Sequence, residues 1–469
     1  MGCETQESLT RTRIRSVEKG LLRAIFLKGE KPEKMNLTER MRFYRVPAVS
    51  LAVLNKYRVE WTRAYGVKEM GTSFPATEDT LFQAGALSQA LAAVAALHFV
   101  EQGRLDLESD VNPWLRTWKI PRNAFTAQNK ITLRGLLTHT AGFPDRIFPG
   151  YSQREPQPSL KQILEGEKPA KNSRLDVEFR PGSKIRESET GYVVLQQLLE
   201  DIENKPFSVL MRGLALDPLG IRNSGFDLPL SERARQIAAS GHLLDGRPVD
   251  GKWFNYPELA AKGLWSSPKE YASFLTGIMD AAMGKSERII SSLMARALLA
   301  PQVEYKGFGF SVEGAGDEAG FNIQGRTHGF SSFVIVFPSK GQGAVVMTNS
   351  DNGRVLTEEI IRAISAAYGW TQFKPQEKPL YRLDPSVYQN YVGRYQITPD
   401  YVLDVDYKDY YLTIRPTSQA KTKFFVESET VFFAVDPFIR IQFRRDDQGK
   451  VRGLVLWQQD FQQDAKKIE

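Results

Sequence analysis

Between Ala84 and Val100 the chain is almost wholly apolar, interrupted only by Ser88, Gln89 and His98. The run is too short to cross a bilayer comfortably, since a spanning helix needs ~20 residues. A segment this apolar must instead be covered on all sides inside a folded domain. The spacing predicts a buried helix from about Ala86 to Gln102, closed by Gly103 as its C-cap. With 42% hydrophobic residues in 469, the chain has ample material for the core that such a helix requires.

The remaining elements are predicted around it. Ile14–Arg45 alternates apolar and charged residues at helical spacing. Ala48–Leu54 and Val59–Tyr65 are β-prone runs joined by Asn55-Lys56-Tyr57, a hairpin signal. From Asp106 to about Ala300 the pattern is mostly helical. A second strand pair, Ser332–Phe337 and Gly343–Asn349, flanks Pro338-Ser339-Lys340-Gly341, and a helix over Val355–Tyr368 follows. Hairpins at both ends of a helical middle predict one antiparallel sheet built from distant segments and flanked by helices. After a proline-marked stretch come short alternating runs at Gly393–Thr398, Tyr401–Tyr407, Tyr410–Arg415, Lys423–Glu427, Val431–Val435, Ile439–Arg444 and Val451–Gln458. These predict an up-and-down barrel or a sandwich.

Composition excludes several functions. The formal charge of +7 comes from scattered Lys and Arg, which predicts a solvated basic surface and no nucleic-acid partner. Cys3 is the single cysteine, so intrachain disulfides and cysteine-based metal sites are ruled out. His98, His139, His242 and His328 form no metal-binding motif, and no cofactor is expected. The start Met1-Gly2-Cys3 reads as cytoplasmic if the chain is complete, or as a trimmed extracytoplasmic lipoprotein. Gln6 breaks the N-myristoylation pattern.

Several segments, in order, carry a resemblance. They are Val100-Glu101-Gln102-Gly103-Arg104-Leu105-Asp106-Leu107, Leu136-Leu137-Thr138-His139-Thr140-Ala141-Gly142, Arg180-Pro181-Gly182-Ser183, Leu216-Asp217-Pro218-Leu219-Gly220, Tyr256-Pro257-Glu258 with Gly263-Leu264-Trp265, and Gly341-Gln342-Gly343 through Asp351. Together they resemble the serine β-lactamase-like, penicillin-binding-protein-related hydrolases over about Leu51–Trp370. The resemblance implies an α+β transpeptidase-like fold over 1–370, a linker at 371–385, and a lipocalin-like β domain over 386–469.

That family builds its chemistry on a Ser-x-x-Lys at a helix start, a Tyr-x-Asn or Tyr-x-Gly, and a Lys-Thr-Gly or His-x-Gly strand beside the oxyanion hole. Here the resemblance places Ala86 at the serine, Gln89 at the lysine, Glu187 at the tyrosine, Glu189 at the following position, and Ile323-Gln324-Gly325 at the strand motif. An alanine has no atom that can attack a carbonyl. Ser88 cannot substitute readily, because two positions along a helix it points about 200° away. His139 and His98 are expected to be satisfied buried histidines, while His328 is a surface turn residue or reaches the pocket. The expected pocket comprises Ala86, Gln89, Glu187, Glu189, Gln324, Arg326 and His328. Close carboxylates at Glu187 and Glu189 would raise one pKa toward neutrality. The plainer expectation is that they face solvent or pair with Arg186 or Arg326.

Two functions follow. In one, the protein is a pseudoenzyme that binds a small-molecule or peptide-like ligand in the former active site. In the other, it is a retooled isomerase, cyclase or lyase with Glu187 as the catalytic acid/base.

Overall fold

The computed structural model of the protein describes residues 6–458 and 461–469, so Cys3 lies outside the described residues. The chain forms two compact units. The first holds residues 6–11 and Thr38–Thr357, and the second holds Thr12–Leu37 and Glu358–Glu469.

The first unit is built on a six-stranded sheet. Its order is Arg58–Gly66, Ala48–Asn55, Gln342–Thr348, Phe330–Phe337, Gly320–Thr327, Ser311–Glu313, and every pairing is antiparallel. The two hairpins expected from the sequence meet in the middle, with Val49 opposite Thr348 and Leu54 opposite Gly343. Ala48–Asn55 and Phe330–Phe337 are buried along their whole length, so both of their faces are covered and their sequences are mostly apolar. Helix Pro268–Ala282, started by a Ser267 cap, packs on one side of the sheet against Ala48–Asn55, Arg58–Gly66 and Gln342–Thr348.

The apolar run forms helix Ser88–Glu101, preceded by one tight turn over Gly85–Leu87. It is covered by helices Thr190–Glu203 and Leu259–Lys262, and Gly103 ends it with φ +68°. No helix among the described residues is long and apolar enough to cross a membrane.

In the second unit, eight antiparallel strands from Gly393 to Lys467 close into a barrel, with Tyr395 opposite Lys467. Tyr388, Tyr391, Tyr395, Phe424, Phe432 and Phe443 pack together in its core, and Tyr391 stacks on Phe443 at 4.3 Å between ring centroids. The helical spacing of Ile14–Arg45 resolves into two helices, Gln6–Glu18 and Leu37–Tyr44, with a strand Ile25–Leu27 between them. Gly20, Gly29 and Pro32 break the helical run. Ile25–Leu27 pairs in parallel with Gln376–Lys378, which puts a strand in the proline-marked stretch.

Candidate functional site

The Gly85–Leu87 turn lies against strand Gly320–Thr327. The approach is so close that a Cβ on Gly325 would sit 2.0 Å from the Ala84 carbonyl oxygen and 2.2 Å from Ser332 Oγ. Only glycine fits there. Beside this junction opens a pocket of about 280 Å³, with Ala86 and Gln89 on the helix side and Asn322, Ile323 and Gln324 on the strand side. Asn322 and Gln324 share a face of the strand because side chains alternate. Gln89 is only 7% exposed. Ser88, between them in sequence, is fully buried and turned away, donating to the Gly85 carbonyl oxygen at 2.7 Å and accepting the Leu264 N–H at 3.0 Å.

The third wall is a loop that ends in the edge strand Ser311–Glu313. Gly309 lets it come down on the helix, since a Cβ there would lie 2.8 Å from Ala90 Cα. The loop carries Lys306, whose side chain is 6% exposed and points into the pocket. Its backbone is fixed by hydrogen bonds with Gln302 and Val303. The ammonium donates to Ser311 Oγ at 2.8 Å and contacts Glu187 Oε1.

The carboxylate of Glu187 is 59% exposed, and its other oxygen lies 3.8 Å from His139 Nε2. His139 Nδ1 lies against the Ser188 backbone, and its ring packs on Tyr192. Burial pushes the imidazole down to about 4, so it is neutral at physiological pH. Burial alone would push the Glu187 carboxyl up, but the pull of His139 and Lys306 outweighs it and holds Glu187 below its ordinary value. This corrects the expectation of a raised carboxyl at Glu187. Its partner is Lys306, whereas Arg186 pairs with Asp145.

Of the residues expected in the pocket, the fold brings together Ala86, Gln89, Glu187 and Gln324. It does not bring in Glu189, Arg326 or His328. Glu189 is the N-cap of helix Thr190–Glu203 and already has helical backbone angles. It forms a buried ion pair with Lys262 at 2.7 Å and accepts the Phe148 N–H at 2.7 Å. Burial is what raises its carboxyl. His328 packs on Phe254 with the rings tilted and their centroids 4.4 Å apart. Burial raises the nearby Asp351 carboxyl against the opposing pull of the Gly329 N–H, His328 and Arg326. Near Lys262, Glu258 is fully buried, and neither carboxylate oxygen has a hydrogen-bond partner among the described residues. Burial pushes its carboxyl up to about 7.

The Beta-lactamase family model matches residues 35–368. The chain belongs to the beta-lactamase family. Among its relatives, Penicillin-binding protein 4* of Bacillus subtilis (strain 168) is 21% identical over 440 residues, 87% of this chain and 92% of the relative. Esterase EstB of Burkholderia gladioli is 26% identical over 216 residues, 45% of this chain and 53% of the esterase. Among solved structures, the octameric penicillin-binding protein homologue from Pyrococcus abyssi aligns with a TM-score of 0.61 at 19% identity, over 91% of this chain and 98% of that one. The D-amino acid amidase from Ochrobactrum anthropi SV3, complexed with L-phenylalanine, aligns at 0.58 and 19% identity, over 76% and 99%.

Within this member of the beta-lactamase family, Lys306, Ser311 and Asn322 line the pocket without having been singled out from the sequence. Alternation along the strand from Gln324 was the one signal that could have found Asn322. Lys306 sits in a loop with no periodicity to point it inward.

Proposed function

We propose that this chain is a beta-lactamase family member that binds a ligand in the former active-site pocket without hydrolysing it through a serine ester. Ala86 carries the reading. It lines the pocket at the opening of the buried helix, where the resemblance expects the nucleophile, and its methyl group cannot attack a carbonyl. One turn along, Gln89 offers an amide that cannot take up a proton at neutral pH, and the hydroxyl of Ser88 is committed to the backbone.

The second reading, a retooled enzyme using Glu187 as acid/base, draws on the run of polar groups His139, Glu187, Lys306 and Ser311. It needs Glu187 to exchange a proton near neutrality. Contact with Lys306 favours the carboxylate and weighs against that role.

The test is a panel of a chromogenic cephalosporin, p-nitrophenyl acetate and a set of metabolites, followed by absorbance, thermal shift and mass spectrometry. The expected result is a concentration-dependent thermal shift from some compound with no product formed. Turnover of either chromogenic substrate above buffer, abolished by no change at Ala86 but lost in Glu187→Gln, would favour the retooled enzyme.

A further inference from the structure

Three carboxamides, those of Gln89, Asn322 and Gln324, line the pocket without a side-chain hydrogen-bond partner among the described residues. Gln89 is more than nine-tenths buried, yet its amide is left open toward this space. Each carboxamide presents one acceptor oxygen and two N–H donors, Gln89 from a buried position, Asn322 from a half-buried one and Gln324 from the exposed rim. Their convergence asks for an occupant with donors and acceptors side by side.

The charges in the same pocket are already answered. Lys306 is in contact with Glu187, and His139 is neutral. A cationic occupant would have to compete with Lys306 for Glu187, and an anionic one with Glu187 for Lys306. Displacing Glu187 would strand a nearly buried ammonium. The Ser311 hydroxyl accepts from Lys306, which frees its own hydrogen to donate into the pocket.

From these groups we infer that the pocket takes a neutral polyhydroxylated ligand of the sugar or sugar-alcohol class, its hydroxyls paired with the carboxamides of Gln89, Asn322 and Gln324 and with the Ser311 hydroxyl. A hydroxyl both donates and accepts, which matches a carboxamide without disturbing the Lys306–Glu187 pair. The inference rests on the binding reading above and supplies its ligand class.

The experiment is ligand-observed NMR on the full chain with glucose, methyl β-glucoside and sorbitol. Choline, succinate and a neutral dipeptide mimic, N-acetylalaninamide, serve as competing chemistries. At least one polyol should bind, with Gln89→Leu weakening it by about tenfold or more, the worth of one hydrogen bond left unmade in a buried site, and Asn322→Leu, at a half-buried position, weakening it by about threefold or more. Unchanged thermal melts would confirm that both variants fold, and a third variant, Ser311→Ala, gives the same reading from the other wall. Binding of choline, succinate or the dipeptide mimic in place of every polyol overturns the inference, as does no binding by any probe at 10 mM ligand. Hydrolysis of p-nitrophenyl acetate, run in parallel, reports on the non-hydrolytic reading separately, so the two can fail independently.

Discussion

Ser88 Oγ donates to the Gly85 carbonyl oxygen across 2.7 Å and itself accepts the Leu264 N–H at 3.0 Å. The hydroxyl therefore ties the turn that opens the core helix to the segment following helix Leu259–Lys262. Ser88→Ala takes the partner from the buried Leu264 N–H, while the Gly85 carbonyl keeps the Ser88 backbone N–H, and should lower stability by ~1–3 kcal/mol in chemical denaturation. Ligand binding by the folded variant should be unchanged. A variant of full stability that had lost activity would mean that Ser88 does chemistry.

Restoring the missing hydroxyl should not restore hydrolysis. Ala86→Ser places an oxygen in the pocket, but Gln89 cannot accept its proton, and Lys306 is engaged with Glu187 and Ser311. Groups that act as a unit are strongly non-additive, so one restored member contributes little. Esterase and β-lactamase assays should stay at the buffer rate, and clear turnover by the single variant would reveal a base already in place.

The Lys306–Glu187 pair is unequal. Lys306 is 6% exposed while Glu187 is 59% exposed, so removing each should cost differently. Glu187→Gln strands a buried ammonium, which is the expensive way to break a pair, whereas Lys306→Met leaves a carboxylate that water can reach. The denaturation midpoints should place Glu187→Gln below Lys306→Met by at least about 1 kcal/mol. Equal losses would mean that Ser311 alone satisfies the ammonium.

Glu258 should mark the pH dependence of stability. Its folded carboxyl lies at about 7 against an ordinary 4.5, raised by burial and by Glu189, with Lys262 and Lys171 opposing. The folded state thus holds this proton more tightly than the unfolded chain does. Stability from this group is fully present below about 4.5 and is lost as pH rises toward 7. Glu258→Gln should remove that loss and make the protein more stable than the wild type above pH 7, by up to a few kcal/mol. Parallel pH–stability curves for the two proteins would contradict the assignment.

Much of this architecture is legible in the sequence where burial imposes a pattern. Strands Ala48–Asn55 and Gln342–Thr348 stand out because both of their faces are covered, and the core helix stands out because it is apolar all round. The last barrel strand, Phe461–Lys467, is not legible, because Gln462, Gln463, Asp464 and Lys466 face solvent and backbone pairing with Val451–Gln458 holds it. At the site, Glu187 and Glu189 look like partners from their spacing, but the helix that begins after Glu189 rotates it onto Lys262. Lys306 is silent in sequence because only the turn at Val303 and the glycine at 309 aim it inward.

Whether the pocket holds a covalent nucleophile is decided by intact-mass spectrometry. The full-length protein would be incubated with a penicillin, a cephalosporin and a fluorophosphonate, the last chosen because it labels any activated serine. The mass should stay unchanged with all three, since Ala86 carries no hydroxyl, Ser88 is buried in backbone hydrogen bonds, and the Ser311 oxygen accepts from Lys306. A stoichiometric adduct mapped to Ser311, or to any residue lining the pocket, would contradict that expectation.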